Sequence, residues 1–210
     1  GYKSDMLTAT YTGTGRPPLS MRRHARVLIY GGGMAGCAAA HALRNAGLTP
    51  VIVAPGGLAD AASGNLRGLY NPRFSATLSP SALFYRMAFT RFSAFLKTQD
   101  PAATGHIQNG ALHLIRDEAS HKKLTGFLSS WGWPASAAAL VTADQASDIA
   151  GLPVPYPGVF LPDAGSVRPP AMCALYASGV EVRPDNPGPH GFDAILIAQG
   201  AAATHHPACA

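Results

Sequence analysis

Arg26-Val-Leu-Ile-Tyr-Gly-Gly-Gly-Met-Ala-Gly36, running on into the Ala-rich stretch that ends at Gly47, decides the fold. Arg26–Tyr30 is a short apolar run of the kind that forms a parallel strand buried on both faces. Met34 to Ala46 is rich in Ala and closes on Gly47, the residue type that ends helices in a left-handed cap. Pro50-Val-Ile-Val-Ala54 supplies a second strand. Strand, glycine turn, helix and strand within about 30 residues make a βαβ unit.

Gly31, Gly33 and Gly36 form G-x-G-x-x-G at the point where the strand passes into the helix. The first glycine makes the tight turn. The second lets backbone approach a pyrophosphate, and the third lets helix and strand pack closely. The N–H groups that open the helix then face the phosphates with the positive end of the helix dipole. Gly31, Gly32, Gly33, Met34, Ala35 and Gly36 are therefore the candidate dinucleotide-binding residues. One position departs from the pattern. An acidic residue is expected at the end of the second strand to accept hydrogen bonds from the adenosine ribose. Ala54 stands there, followed by Pro55-Gly56-Gly57, and Asp60 is the nearest acid, too far along to be taken as equivalent. Loss of those bonds would weaken binding by about 1–3 kcal/mol.

Working outward, residues 1–24 read as a tail or linker rich in turn formers. Pro80 to Thr98 reads as an amphipathic helix with Leu83, Phe84, Met87, Phe92 and Phe95 on its apolar face. Ile107 to Ile115 reads as a hairpin turning at Asn109-Gly110. A helix is expected over Asp117–Ser130, broken by Trp131-Gly-Trp-Pro134. Another follows from Ala143 with Thr142 as its cap. A strand at Val159–Leu161, a helix at Pro169–Ala177 and strands at Val180–Val182 and Ala194–Ala198 restore the α/β rhythm. The expected fold class is α/β, a Rossmann-like dinucleotide-binding domain interrupted by an α+β substrate domain and incomplete at the C-terminus. The expected divisions are a linker over 1–24, cofactor domain over 25–78, substrate insertion over 79–168, and return to the cofactor domain over 169–210.

Composition bounds the partners. Of 210 residues, 47% are hydrophobic, 13% are charged, and Gly and Pro number 23 and 18. That supports a packed core with many loops. The net charge of +5 suits an acidic partner such as RNA, and equally suits an unbalanced share of a larger neutral protein. Cys37, Cys173 and Cys209 are too few and too scattered for a zinc site or a disulfide framework. No apolar run reaches the ~20 residues that span a bilayer, and the start carries no signal-peptide pattern. A cytoplasmic protein with no metal and no membrane partner is expected. His205-His206 lacks metal-ligand spacing, His41 reads as a helix-surface residue, and Trp131 and Trp133 read as anchors of a helix end in the core.

Ala62-Ser-Gly-Asn-Leu-Arg-Gly-Leu-Tyr-Asn-Pro-Arg-Phe-Ser75 is the second informative stretch. It resembles the D-amino-acid-oxidase-type flavoproteins, in which a Ser/Gly/Asn-rich segment after the second strand passes along the flavin. Ser63-Gly64-Asn65, Gly68 and Pro72-Arg-Phe74 are similar, more closely, to the flavin domain of the bifunctional tRNA wobble-uridine modification enzymes. Asp163 to Cys173 and Phe192 to Gly200 are similar to two further segments of that family, and Gly1 to Leu7 loosely resembles the last strand of its upstream methyltransferase domain.

The resemblance implies FAD as cofactor, with Ser63, Gly64, Asn65, Gly68 and Gly200 joining the glycine turn around it. It implies a reaction in which FAD takes a hydride from the carbon beside a secondary amine and the imine hydrolyses. On carboxymethylaminomethyl-uridine in tRNA this releases glyoxylate and leaves aminomethyl-uridine, which an S-adenosylmethionine-dependent methyltransferase domain then methylates. Arg67, Tyr70, Arg73 and Arg168 are the candidates for meeting a substrate carboxylate or RNA phosphate. No catalytic side chain is singled out, since the flavin is the electron sink. Family members continue past this length, so the chain alone is expected not to turn over. A free amino-acid oxidase of the glycine or sarcosine kind and an inactive remnant of the cofactor domain are the alternatives.

Overall fold

The computed structural model describes residues 22–205. Four parallel strands, β1 (Arg26–Tyr30), β2 (Thr49–Val53), β8 (Glu181–Arg183) and β9 (Ala194–Ile197), form the main sheet in the order β8-β2-β1-β9. β1 lies centrally, with Ile29 opposite Ile52 on one side and Leu196 on the other. Its side chains are buried on both faces, as a central parallel strand requires. Leu28 and Tyr30 pack with Val51 and Val53, while Val27 and Ile29 face the core that contains Cys37 and Ala40.

α1 (Met34–Asn45) follows β1 and ends where Gly47 takes a φ of +81°. Its Ala-rich surface lets α6 (Pro169–Ala177) pack closely alongside, with Cys37 and Cys173 both buried between them. The Cys37 thiol donates to the Gly32 carbonyl at 3.3 Å. The neighbouring Cys173 and then burial push the Cys37 thiol well above its ordinary range, while Cys37 lowers Cys173 against the opposing effect of burial. His41, expected on the helix surface, instead packs against Tyr176 and Phe95, with ring centroids 5.3 and 6.1 Å away. A helix-surface position on α1 is covered here by α6 and by α2 (Pro80–Leu96).

Two smaller sheets complete the chain. β3 (Gly68–Tyr70) pairs antiparallel with β7 (Gly165–Val167). β6 (Gly158–Leu161) lies between β4 (Ala111–Leu114) and β5 (Ala139–Val141). The helices around them are α2 (Pro80–Leu96), α3 (Pro101–Thr104), α4 (Glu118–Ser130) and α5 (Ala143–Ala150). α4 and α5 open on capping boxes, Asp117 with Ser120 and Thr142 with Gln145. Trp131 closes α4 with its ring fully buried, donating from Nε1 to the Ser75 carbonyl at 3.0 Å.

Two further expectations are corrected. The hairpin at Ile107–Ile115 does not form. Ile107 exchanges two backbone hydrogen bonds with Ser166, at 2.8 and 2.9 Å, and β4 pairs with β6. Gly110, at a φ of +80°, donates to the Ala164 carbonyl and turns the chain from one distant partner to the next. The partners from 158–167 outcompete the local turn signal. The apolar face of α2 is also rotated. Ala82, Phe89, Ser93 and Leu96 point into the core, Phe92 and Phe95 are half-buried, and Leu83, Phe84 and Met87 stand exposed, Phe84 by 66%. Apolar residues lie almost all round this helix, so their spacing alone does not select the buried stripe.

Candidate functional site

The glycine turn between β1 and α1 is crowded by backbone. At Gly31, which has a φ of +118°, a side chain would collide with the Ala198 carbonyl at the end of β9. A Cβ at Gly32 would stand 2.7 Å from the Ala54 Cβ, and one at Gly36 would collide with the Gly31 carbonyl. Gly36 thus lets α1 close onto the turn, while Gly31 and Gly32 let the ends of β9 and β2 approach it. Gly33 is the N-cap of α1 but supplies no side chain to the free N–H groups. The Met34 N–H donates instead to Ser63 Oγ at 3.0 Å. Among the described residues the N–H groups of Ala35 and Gly36 have no partner, and the first turn of α1 carries no acid.

Ala35 lines a cleft of about 460 Å³ at the C-terminal ends of the parallel strands, where open α/β sheets bind ligands. Gly31, Gly32, Gly33, Met34, Ala35, Ser63 and Gly200 line it. Of the other candidates, Gly36 is buried behind the turn. Gly64 lies against the Ala59 carbonyl, and Asn65 Nδ2 donates to the Ala62 carbonyl at 3.0 Å, holding the short 3-10 turn Ala62–Gly64 in shape. Gly68 gives room to Pro169, whose Cγ would be 3.0 Å from a Cβ placed there. These three shape the segment that carries Ser63 and do not line the cleft. Sequence reasoning did not select Val53, Pro55, Asp60, Ala61, Ala198 and Gln199, which do. Asp60 stands out in sequence only as the acid nearest to Ala54, at a spacing that set it aside.

The substrate-side candidates separate. The antiparallel register that sets Gly68 opposite Val167 carries Arg67 and Arg168 to neighbouring positions, and both reach Gly105. Arg67 donates to the Gly105 carbonyl, and the Arg168 side chain lies over the Gly105 Cα. Leu66 and Leu69 stand exposed beside them, at 88% and 84%. Tyr70 faces inward. Its hydroxyl meets His106 Nε2 at 2.7 Å, and burial with the nearby Asp163 charge pushes its pKa up to about 12. Arg73 lies apart, its guanidinium 5.6 Å over the Tyr85 ring.

A comparison with known families matches residues 26–183 to the FAD dependent oxidoreductases. The chain belongs to that family. Among its relatives, the tRNA 5-methylaminomethyl-2-thiouridine biosynthesis bifunctional protein MnmC of Nitrosospira multiformis is 32% identical over 201 residues, 91% of this chain and 32% of the relative. The MnmC of Pseudomonas aeruginosa is 32% identical over 191 residues, 85% of this chain and 28% of that protein. The chain therefore spans about a third of the length of these relatives. This FAD dependent oxidoreductase also superposes on iminodiacetate oxidase from Chelativorans sp. BNC1 with a TM-score of 0.67 at 23% identity, over 88% of this chain and 57% of the other. Glycine oxidase from Bacillus cereus gives 0.62 at 20% identity, over 86% and 56%. At those identities the superpositions establish the α/β Rossmann-like fold.

The residues present fit the family's cofactor at its phosphates. The backbone cradle is one that any added Cβ would fill, and the helix N–H groups beside it are unclaimed. Among the described residues no group of three or more His, Cys, Asp and Glu side chains could hold a metal, and no helix is long and apolar enough to cross a membrane. Residues 1–21, His206 and Cys209 lie outside the described residues.

Proposed function

We propose that this chain carries the FAD-binding part of an amine oxidoreductase that acts on carboxymethylaminomethyl-uridine at the tRNA wobble position. The observation that carries the cofactor half is the crowded glycine turn with unclaimed N–H groups at the start of α1. The 32% identity to proteins named for tRNA 5-methylaminomethyl-2-thiouridine biosynthesis supports the substrate. The net charge of +5 suits a polyanion.

Ala35 would donate its backbone N–H group to the pyrophosphate, with Gly31, Gly32 and Gly33 giving it room and Gly36 letting α1 close onto the turn behind them. Ser63 holds the helix start and the Ser-Gly-Asn turn together, which fixes where the following segment runs. FAD, when bound, supplies the acceptor for a hydride from the carbon beside the secondary amine. Water then hydrolyses the imine, so glyoxylate leaves and the amine stays on the uridine. Arg67 and Arg168, side by side at Gly105, would hold the carboxylate of the carboxymethyl group or an RNA phosphate. Tyr70 holds His106, the residue after the Gly105 that both arginines reach. The same reading sets this chain beside an S-adenosylmethionine-dependent methyltransferase domain in a cytoplasmic protein, and assigns turnover to the whole enzyme.

The test is a chimera in which residues 25–200 replace the corresponding segment of the P. aeruginosa relative. Nucleosides from tRNA incubated with it are then analysed by mass spectrometry. Conversion of carboxymethylaminomethyl-uridine to aminomethyl-uridine, with glyoxylate released and the conversion reduced by Arg67→Ala, is the expected result. Oxidation of free glycine with tRNA left untouched would replace the proposed substrate by a free amino acid.

A further inference from the structure

The end of β2 is where this fold holds an acid for the adenosine ribose, and Ala54 cannot serve. It is small, buried, and its N–H is spent on the Arg183 carbonyl at 2.8 Å. The chain beyond it does not run away from the cleft. The Gly57 N–H returns to the Ala54 carbonyl, and the Ala59 N–H donates to the Gly32 carbonyl, both at 2.9 Å. The loop is thereby tied back onto the glycine turn itself. Gly57 takes a φ of +90°, and Ala59, which is buried, takes a φ of +60°. A left-handed alanine persists only where its surroundings hold it there.

The consequence of this path is the position of Asp60. Its Oδ2 lies so close over Gly56 that a side chain at Gly56 would collide with it. Six residues beyond Ala54 in sequence, the carboxylate stands two residues beyond it in space. Asp60 is the only charged side chain among the described residues that line the cleft. It is exposed, and its carboxylate has no hydrogen-bond or ion-pair partner among the described residues. An unpartnered carboxylate would repel a phosphate. Standing over Gly56, just past the end of β2, it is suited to a neutral donor. A vicinal diol fits: two O–H groups can each donate to a carboxylate oxygen in charge-assisted bonds.

We propose that Asp60 accepts the ribose 2′- and 3′-hydroxyls of the adenosine half of the cofactor, in the place of the acid missing from the end of β2. The proposal rests on the reading that the cleft takes FAD. The folded-back loop makes the match: Gly56 leaves room for the carboxylate, and Ala59 aims it.

The test uses isothermal titration of the chain and of Asp60→Asn with ADP, 2′,3′-dideoxy-ADP and FAD, with circular dichroism to compare the folded state of the two proteins. The wild-type chain should bind ADP at least about tenfold more tightly than the dideoxy nucleotide. Asp60→Asn should bind the two alike, near the wild-type affinity for the dideoxy form. If Asp60→Asn keeps the preference for ADP, or if the wild-type chain binds FAD and shows no preference, the ribose role is overturned while the cofactor reading stands. If the wild-type chain binds neither FAD nor ADP, the cofactor reading fails and the ribose role with it.

Discussion

The turn around Gly31–Gly36 and the aromatic cluster around Trp131 are held together by opposite means. The turn is built from absent side chains: Gly31, Gly32 and Gly36 bring the ends of β9, β2 and α1 so close that a single Cβ would force backbone apart. The cluster is built from large ones. Trp131 meets Phe127 and Trp133 edge to face at 4.9 and 5.5 Å, and Phe127 in turn meets Phe74 at 4.6 Å. Close-packed interiors punish added atoms and removed atoms alike. The two regions should therefore fail in different ways, one losing its ligand and the other its fold.

The largest effect should come from removing a ring. Trp131→Ala takes away a fully buried indole and leaves the Ser75 carbonyl without its donor. Denaturant unfolding should show a loss of about 3–5 kcal/mol, with FAD affinity of the folded protein unchanged. Loss of FAD affinity at unchanged stability would break the contrast. Next comes an added side chain. Gly36→Val collides with the Gly31 carbonyl and should cost about 1–3 kcal/mol in stability, with FAD titration showing binding abolished. Retained binding would mean that the turn has slack the structure does not show.

Acid sharpens the comparison further. His113 packs edge to face on Phe74 at 4.4 Å, and burial, then the Lys123 charge, lowers its pKa. The folded state thus holds fewer protons than the unfolded one below about pH 6.5, the ordinary histidine value, so stability should fall as pH drops through that range. Thermal melts between pH 7.5 and 5 should show this loss in the wild type and a flatter profile in His113→Gln. The smallest effect belongs to Lys97→Ala. Its ion pair with Asp163, at 2.7 Å, is half exposed, and its removal should cost at most about 1 kcal/mol by denaturant unfolding.

What could be read from sequence follows the same division. β1, α1 and β2 were legible because a buried parallel strand, a glycine turn and an Ala-rich helix each carry a local signature. The capping boxes at Asp117 and Thr142 mark their helices equally locally. β3 and β7 carry no such mark. Three residues each, they exist because each supplies the other's hydrogen bonds across nearly a hundred residues. The Asn109-Gly110 turn misled for the same reason, since its flanks find better partners in Ser166 and β6. In the candidate site, the glycine turn Gly31–Ala35 was legible by spacing, and Ser63 only through the resemblance to the flavoproteins. Asp60 was not, because its position depends on Ala59 taking a left-handed conformation that sequence spacing does not reveal. The expected weakening at Ala54 changes accordingly. Ala54→Glu should alter FAD affinity only a few-fold while Asp60 is present.

The most direct test of the central claim is a titration of FAD with the purified chain, followed by quenching of flavin fluorescence, with NAD and NADP as competitors. The account predicts saturable quenching that neither nicotinamide dinucleotide reverses at comparable concentration. Absence of saturation, or equal displacement by NAD, would contradict the claim that this glycine turn is a flavin site.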